Sequence, residues 1–292
     1  MSSFKDQTLL VTGAAGQFGR IAVEELLARG ATKVIAGTRD PAKLADLAAR
    51  GVEVRKVDFD DANLAVAFAG VDRLLLISTD TIGKRVDQQA HAVNAAKAAG
   101  AKHIVYTSAP APRPNPGTGV SPEHYWTEQA IVASGLDYTL LRNHIYAEIT
   151  LMSAASAIGS GQLFDATDGK GRSYVTRTDT ARTAVGALLS AEGKSIYDVT
   201  GPAAVTQTEL AALFAQFSGK PVARVGLTAP ELRGGMVAAG LPEGLADVMV
   251  AFDTDAAAGY HAVITDTVER FSGRKPEALS DFLAANRATL SA

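Results

Sequence analysis

Three glycines near the start of the chain have the clearest potential for chemistry, because they are spaced as Gly-x-x-Gly-x-x-Gly. They follow an apolar run at residues 8–11, and the pattern after them predicts a helix from about Gly19 that stops at Gly30. A strand, a tight turn and a helix in this order bring backbone N–H groups to the helix start, where they can face phosphate groups. The pattern predicts a dinucleotide pyrophosphate site, with an ordinary strand-to-helix turn as the alternative. The predicted contacts are Gly13, Gly16, Gln17, Phe18 and Gly19.

The end of the second predicted strand, residues 33–38, determines which nucleotide is preferred. An acidic residue at this point would bind the ribose 2′-OH and repel a 2′-phosphate. Here Arg39 follows the strand and Lys43 comes one turn later, so a guanidinium and an ammonium can meet a 2′-phosphate. We therefore expect NADPH as the cofactor, with a merely solvated Arg39 as the alternative. NADH stays open because Asp40 adds a negative charge, although Asp40 is also a typical cap for the next helix.

Further side chains follow three more predicted strands, at the edge where open parallel sheets bind their ligands. Asp58 and Phe59 can meet an adenine by hydrogen bond and edge contact, and a loop cap is the alternative role for Asp58. Hydroxyl pairs after the next two strands would lie beside the nicotinamide half of the cofactor, although such hydroxyls also form turns. These pairs are Ser78 with Thr79, and Thr107 with Ser108. For Ser108 the two roles weigh equally.

Strand-like runs alternate with helical segments through the first half of the chain, and this alternation predicts a parallel sheet. Asp60 and Asp61 are expected to cap a helix that ends at Gly70. A proline-rich loop at residues 110–119 leads to a further helix that ends at Gly135. The predicted strands are 8–11, 33–38, 52–58, 73–77, 103–107 and 138–141.

The expected fold class is α/β: a doubly wound parallel sheet of the Rossmann type in residues 1–150, then a smaller, mostly helical substrate lobe in residues 151–292. Some segments of the lobe return to the sheet, since residues 197–200 have the pattern of one more strand. We expect the lobe to pack over the strand C-termini, where ligands bind. The lobe helices are predicted at residues 206–218, 229–239, 242–258 and 275–290.

Composition limits the classes of partner. The chain of 292 residues is 47% hydrophobic and 20% charged, and its formal net charge of −3 predicts no nucleic-acid or anionic-membrane surface. No apolar stretch approaches the roughly 18 residues of a membrane span, so we expect a cytoplasmic protein with a small-molecule partner. There is no cysteine, and the five histidines lack metal-ligand spacing, so no metal site is expected.

The sequence resembles the NmrA-like, atypical short-chain dehydrogenase family, and within it the bacterial type 2 NADPH:quinone oxidoreductases and triphenylmethane reductases. The resemblance covers essentially the whole chain. It implies an NADPH-dependent reductase that needs neither flavin nor metal. Where the family usually has Asn-Pro after the second strand, this chain has Asp40-Pro41. The matching segments are 12–19, 39–43, 74–78, 95–100, 106–108, 138–143 and 240–247.

The predicted helix after the proline-rich loop lacks the Tyr-x-x-x-Lys pair with which short-chain dehydrogenases move a proton. His124 and Glu128 take the i and i+4 positions, while Tyr125 has Gln129 as its counterpart. A glutamate beside His124 would raise the pKa of the imidazole, which could then donate a proton near neutral pH. A surface contact without chemical consequence is the alternative.

The segment that follows the sixth predicted strand is the best candidate for the substrate wall. Asn143 can orient a carboxamide or a quinone oxygen, and Tyr146 can stack on a flat ring. Both side chains could instead be structural. The candidate catalytic residues are therefore Asn143, Tyr146 and His124.

Together these patterns predict a reductase that passes a hydride from NADPH to a quinone-like acceptor, because a delocalised acceptor needs no protein acid. One alternative is a non-catalytic NmrA-type sensor that binds NAD(P) and reports the redox state to a partner protein. Another is a carbonyl or imine reductase, which would need His124 or Tyr125 as an acid. A homo-oligomer stays open, since the long helices have apolar faces that could meet a second subunit.

Overall fold

The computed structural model describes Phe4 and residues 6–114 and 120–290, so residues 115–119 of the predicted proline-rich loop lie outside the described part. The first half contains β1 (Thr8–Val11), α1 (Gln17–Ala28), β2 (Lys33–Thr38), α2 (Ala45–Ala49), β3 (Glu53–Lys56), α3 (Leu64–Ala67), β4 (Arg73–Leu76), α4 (Arg85–Ala98), β5 (His103–Ser108), α5 (Val120–Ser134) and β6 (Asp137–Asn143). The second half contains β7 (Ile145–Tyr146), α6 (Ile149–Ser160), β8 (Gln162–Asp165), β9 (Arg172–Val175), α7 (Arg177–Ser190), β10 (Lys194–Val199), β11 (Ala204–Val205), α8 (Gln207–Ser218), β12 (Ala223–Gly226), α9 (Ala229–Ala238), α10 (Glu243–Ala257), α11 (Thr267–Ser272), α12 (Leu279–Ala285) and α13 (Arg287–Leu290).

The chain divides into two compact units: one comprises residues 1–143, 178–199 and 267–274, and the other comprises residues 144–177, 200–266 and 275–292. The first unit holds a seven-stranded sheet in the order β10-β6-β5-β4-β1-β2-β3, with every neighbouring pair parallel. The predicted doubly wound parallel sheet is confirmed. Its seventh strand is the segment that the sequence analysis expected to return to the sheet.

The sheet positions its loops through a core that is buried on both faces. Strand β4 is buried at every residue, as expected for the interior of a parallel sheet. Leu10 and Leu74 are paired in register and are fully buried. Helix α4 packs Ala92, Val93 and Ala96 into the same cluster, which reaches Tyr106 on β5. This packing fixes the strand ends from which the candidate site is built.

The helix predicted to end at Gly70 is shorter than expected, because α3 spans only Leu64–Ala67 and residues 68–70 form a turn. Neither proposed aspartate is the N-cap of α3, because that position is Asn63. Asp61 accepts the backbone N–H of Asn63 at 2.9 Å, and the carboxylate of Asp60 accepts from Gln88 Nε2 at 3.0 and 3.2 Å. Aspartates close turns as readily as they cap helices, so the same residue types were compatible with both outcomes.

The second unit has its own core, in which α6, α8 and α12 contribute Ile158, Phe214 and Leu283. Helix α8 begins with a capping box between Thr206 and Glu209, as its predicted start requires. The helix predicted over residues 275–290 is instead divided into α12 and α13 at Asn286, whose side chain donates to the carbonyl of Phe282. Within the described residues, every helix is too short or too polar to cross a lipid bilayer.

Candidate active site

A cleft of about 420 Å³ lies in the first unit, where the loops after β1, β2, β3 and β4 meet. Parallel sheets expose their ligand sites at these carboxyl ends. Further lining residues, which the sequence analysis did not select, are Thr12, Thr38, Asp60, Asp80, Thr81 and Gln88. The predicted cofactor residues that line it are Gly13, Gly16, Arg39, Lys43, Asp58, Phe59, Ser78 and Thr79.

The glycine turn leaves the start of α1 open to an anion. Gly13 has φ +60°, a left-handed conformation that favours glycine. Gly16 is the N-cap of α1, with no side-chain cap, and the first helical turn contains no acidic residue. The first N–H groups of a helix have no intrahelical acceptor, and the helix dipole makes this end positive. The turn therefore fits a pyrophosphate group, which would occupy both the N–H groups and the positive end.

Gly19 is required for the turn to pack against the helix. A Cβ atom at this position would lie 2.3 Å from the carbonyl oxygen of Gly13 and 2.7 Å from Cα of Ala14. Phe18 is 8% exposed and belongs to the buried side chains of α1, next to Gln17 at the helix start. None of Gln17, Phe18 and Gly19 lines the cleft, so their contact with a cofactor stays a prediction.

The end of β2 presents two cations to the cleft. Arg39 and Lys43 are exposed, and neither side chain forms a hydrogen bond or ion pair with another described residue. Asp40 caps the 3-10 turn Pro41–Leu44, since its carboxylate accepts the backbone N–H of Ala42 at 3.2 Å. The predicted cap is confirmed. The two cations are therefore available to bind a 2′-phosphate, the group that distinguishes NADPH from NADH.

The loops after β3 and β4 supply the remaining polar groups. Asp58 accepts the N–H of Asp60 at 3.1 Å, which closes the turn that carries Phe59 into the lining. Thr107 does not line the cleft; its hydroxyl accepts the N–H of Ser78 at 2.9 Å and donates to the Ser78 hydroxyl. Thr79 Oγ1 is buried without a hydrogen-bond partner among the described residues. An orphaned hydroxyl in the lining also fits a bound polar ligand.

His124 and Glu128 do not form the pair that their spacing suggested. Glu128 accepts from Arg142 at 2.8 and 3.1 Å and from the Ser108 hydroxyl at 2.7 Å. His124 instead contacts the Tyr106 phenol, 2.7 Å from its Nδ1. His124 is 5% exposed and Glu128 is 2% exposed, so the alternative prediction of a surface contact is also wrong. Ser108 is engaged by Glu128 rather than lining the cleft.

The surroundings of His124 oppose its protonation. Burial, and after it the positive charge of Arg85, lower the pKa of His124 to about 3. The expectation that Glu128 raises this pKa is wrong, because the Glu128 carboxylate is directed to Arg142 instead. The imidazole is neutral near pH 7 and is a poor proton donor. Tyr125, the other candidate acid, is half-buried with its ring edge-on to Trp126 at 5.1 Å between centroids.

The two predicted acceptor residues belong to different units. Asn143 ends β6 in the first unit, is 6% exposed and pairs with Val199 of β10. Tyr146 ends β7 in the second unit and is half-buried, with the guanidinium of Arg177 5.2 Å above its ring centroid. A cation over one face polarises the ring and holds it in place. Contact of either residue with an acceptor stays a prediction.

A family model described as NAD(P)H-binding matches residues 13–191, which include the glycine turn and all four loops of the cleft. The chain belongs to this NAD(P)H-binding family. The NAD(P)H-binding family expected from the sequence is thereby confirmed. Among the described residues, no cluster of three or more histidine or acidic side chains could hold a metal ion.

Relatives of this NAD(P)H-binding chain include proteins named as oxidoreductases and reductases. It is 39% identical over 278 residues to quinone oxidoreductase 2 of Escherichia coli (strain K12), covering 94% of this chain and 96% of that protein. It is 30% identical over 287 residues to the NAD(P)H azoreductase of Xenophilus azovorans, covering 97% and 99%. Both alignments therefore extend through both units.

Solved structures agree with these alignments. The NADPH-dependent quinone oxidoreductase of Escherichia coli in complex with NADPH superposes with a TM-score of 0.89 at 36% identity, covering 97% of this chain and 99% of that one. The triphenylmethane reductase of Citrobacter sp. in complex with NADP(H) gives a TM-score of 0.83 at 30% identity, covering 96% and 99%. This NAD(P)H-binding chain thus shares its whole fold with reductases of known structure.

Sequence reasoning missed the polar network behind the cleft, which consists of Arg85, Gln89, Tyr106 and Thr127 around His124. Tyr106 directly precedes the selected Thr107, and the alternation of side chains along a strand predicts that the two residues point to opposite faces of the sheet. No sequence pattern indicates that Arg85 approaches His124, because 39 positions separate them.

Proposed function

We propose that the protein is an NADPH-dependent reductase that transfers a hydride to a quinone-like acceptor. The observation that carries this proposal is the cleft, in which an uncapped helix start lies beside a pair of available cations, Arg39 and Lys43. An uncapped helix start suits a pyrophosphate, and the cations suit a 2′-phosphate. The residues therefore favour NADPH over NADH. The carboxylate of Asp40, which could oppose a 2′-phosphate, instead accepts the N–H of Ala42 in its own turn.

When bound, NADPH supplies the hydride from its nicotinamide ring. The task of the chain is to hold that cofactor and orient an acceptor. The glycine turn would bind the pyrophosphate, Asp58 and Phe59 the adenine end, and Ser78 and Thr79 the nicotinamide end. We propose that Asn143 orients an acceptor oxygen and that Tyr146 stacks on the acceptor ring.

The state of His124 favours an acceptor that needs no protein acid. A simple ketone becomes an alkoxide after hydride transfer and must receive a proton in the same step or soon after. His124 is buried and neutral, and the hydroxyl of Ser108 is bound to Glu128. A quinone spreads the added negative charge over a conjugated ring and can take protons from solvent. This contrast supports quinone reduction over carbonyl or imine reduction.

The names of the relatives support the same acceptor class. One relative is a quinone oxidoreductase, another an azoreductase and a third a triphenylmethane reductase, and quinones, azo dyes and triphenylmethane dyes are all conjugated acceptors. The relatives match nearly their whole length, so the comparison includes the part of the chain that carries Tyr146. We therefore include azo and triphenylmethane dyes as secondary acceptors.

The test is oxidation of NADPH and of NADH by the purified protein with a panel of acceptors: quinones, an azo dye, a triphenylmethane dye and simple ketones. We expect turnover with quinones, faster with NADPH than with NADH, and little turnover with ketones. Addition of flavin and of a metal chelator checks whether either group contributes. Tight NADPH binding without turnover on any acceptor would contradict the proposal and favour a redox sensor, and efficient ketone reduction would favour a carbonyl reductase.

A further inference from the structure

A buried chain of hydrogen bonds connects α5 to the cleft. The Tyr106 phenol lies 2.7 Å from Nδ1 of His124 and 3.4 Å from Oε1 of Gln89. The same Oε1 accepts the backbone N–H of Thr79 at 3.3 Å. Thr79 lines the cleft, whereas His124 does not. A residue outside the cleft is therefore joined to its wall through two intervening side chains.

The position of each proton follows from the groups at the ends of this chain. A backbone N–H can only donate, so Oε1 of Gln89 accepts from Thr79, and the Tyr106 phenol must donate to Gln89. The phenol oxygen then accepts from Nδ1 of His124. The other ring nitrogen, Nε2, lies 3.5 Å from Nη1 of Arg85, which can only donate. His124 is therefore a neutral imidazole with its proton on Nδ1.

The loop that this chain reaches is held at both ends. Gln89 binds the N–H of Thr79 at the first end, and the carboxylate of Glu123 accepts the N–H of Gly83 at the second. Gln89 is itself oriented by Thr127, whose hydroxyl accepts from Nε2 at 2.9 Å and donates to the carbonyl of Glu123. The loop supplies Thr79, Asp80 and Thr81 to the lining. Helices α4 and α5 thus determine the shape of one wall of the cleft.

We infer that His124 is a positioning residue for the cofactor and transfers no proton in the reaction. Its Nδ1–H orients the Tyr106 phenol toward Gln89, and Gln89 in turn holds the backbone of Thr79 in the wall of the cleft. The role of a neutral imidazole agrees with the lowered pKa, to which burial and Arg85 contribute. This inference rests on the proposed binding of NADPH in the cleft. Its test measures binding without any acceptor, so it stays informative if quinone reduction is not found.

The experiment compares three substitutions of His124. The amide of His124→Asn lies near Nδ1 and can still donate to Tyr106, whereas the amide of His124→Gln lies near Nε2 and cannot. His124→Ala removes both groups. The Kd for NADPH is measured by fluorescence titration, and the free energy of unfolding by urea denaturation. We expect the Gln and Ala variants to raise the Kd about 2- to 12-fold, as for one net hydrogen bond, and the Asn variant to stay within about 2-fold of wild type.

His103 provides the matched control. It is also buried, burial lowers the pKa of this histidine to about 3, and its Nε2 lies 3.0 Å from the Thr139 hydroxyl, at the opposite end of β5. His103→Ala should reduce the free energy of unfolding without changing the Kd for NADPH. If His124→Ala behaves in the same way, His124 only stabilises the fold and the inference is overturned. A fall in kcat at saturating NADPH with an unchanged Kd would identify a proton donor and overturn it as well.

Discussion

Replacement of Gly19 by alanine tests whether the glycine turn and α1 are packed as tightly as the structure shows. The added Cβ would lie 2.3 Å from the Gly13 oxygen and 2.7 Å from both the Gly13 carbonyl carbon and Cα of Ala14. All three neighbours are backbone atoms, so no side-chain rotation relieves the contact. Either the turn or the first part of α1 must move.

The magnitude follows from two opposing effects. Alanine is favoured over glycine inside a helix by about 1 kcal/mol. Overpacking of a closely packed site costs about 1–3 kcal/mol. Since a contact of 2.3 Å is far below van der Waals separation, we expect the upper part of this range and a net loss of about 1–2 kcal/mol in the free energy of unfolding. The Kd for NADPH should also rise, because Gly13 lines the cleft.

Gly159 in α6 is the matched control, because a Cβ there would meet no atom within 4 Å. Gly159→Ala should therefore raise the free energy of unfolding by about 0.5–1 kcal/mol. Urea denaturation of wild type and both variants, with NADPH titrations in parallel, measures the two changes. A Gly19→Ala protein as stable as Gly159→Ala, with unchanged NADPH affinity, would refute the close packing of the turn against the helix.

Further predictions concern the cofactor, the acceptor and pH. Arg39→Ala should raise the Kd for NADPH about 10-fold and leave that for NADH unchanged, as measured by titration with each nucleotide. Tyr146→Ala should raise the KM for the quinone about 2- to 12-fold, whereas Tyr146→Phe, which keeps the ring, should not. Burial lowers the pKa of His103 and His124 to about 3, so the unfolded chain, with histidines near 6.5, binds more protons below pH 7. The free energy of unfolding, measured by urea denaturation, should therefore fall from pH 7 to pH 5 by roughly 1–2 kcal/mol per histidine. If the His103→Gln variant loses as much stability over this range as the wild type, the assignment to His103 is contradicted.

Much of the first unit was predictable because its signals are local. The bounds of β2 agree with the prediction, and Asp40 caps the turn that follows, since both depend on a few adjacent residues. The glycine spacing was likewise sufficient to locate the cleft, because a strand-to-helix turn of this kind contains its own phosphate-binding N–H groups. The break at Asn286 was missed, because helical periodicity continues across a single interrupted turn.

The hydrogen-bond partners and protonation of the α5 side chains could not be predicted from local sequence. The spacing of His124 and Glu128 predicts that they face the same side of a helix, and it correctly places them one turn apart. Their partners, however, come from other elements: Tyr106 from β5 for the histidine, and Arg142 from β6 for the glutamate. The Glu128 carboxylate accepts from the Arg142 guanidinium at 2.8 Å and therefore does not pair with the imidazole of His124.

The sequence by itself determined the class of fold, the place of the glycine turn and the charge available for a 2′-phosphate, because these depend on periodicity and on residues close together in the chain. Only the tertiary structure decided that His124 is buried and neutral, because desolvation and the nearby charge of Arg85 arise when α4, α5 and β5 pack together. Local geometry is set by neighbouring residues, whereas the protonation of a buried group is set by everything that surrounds it.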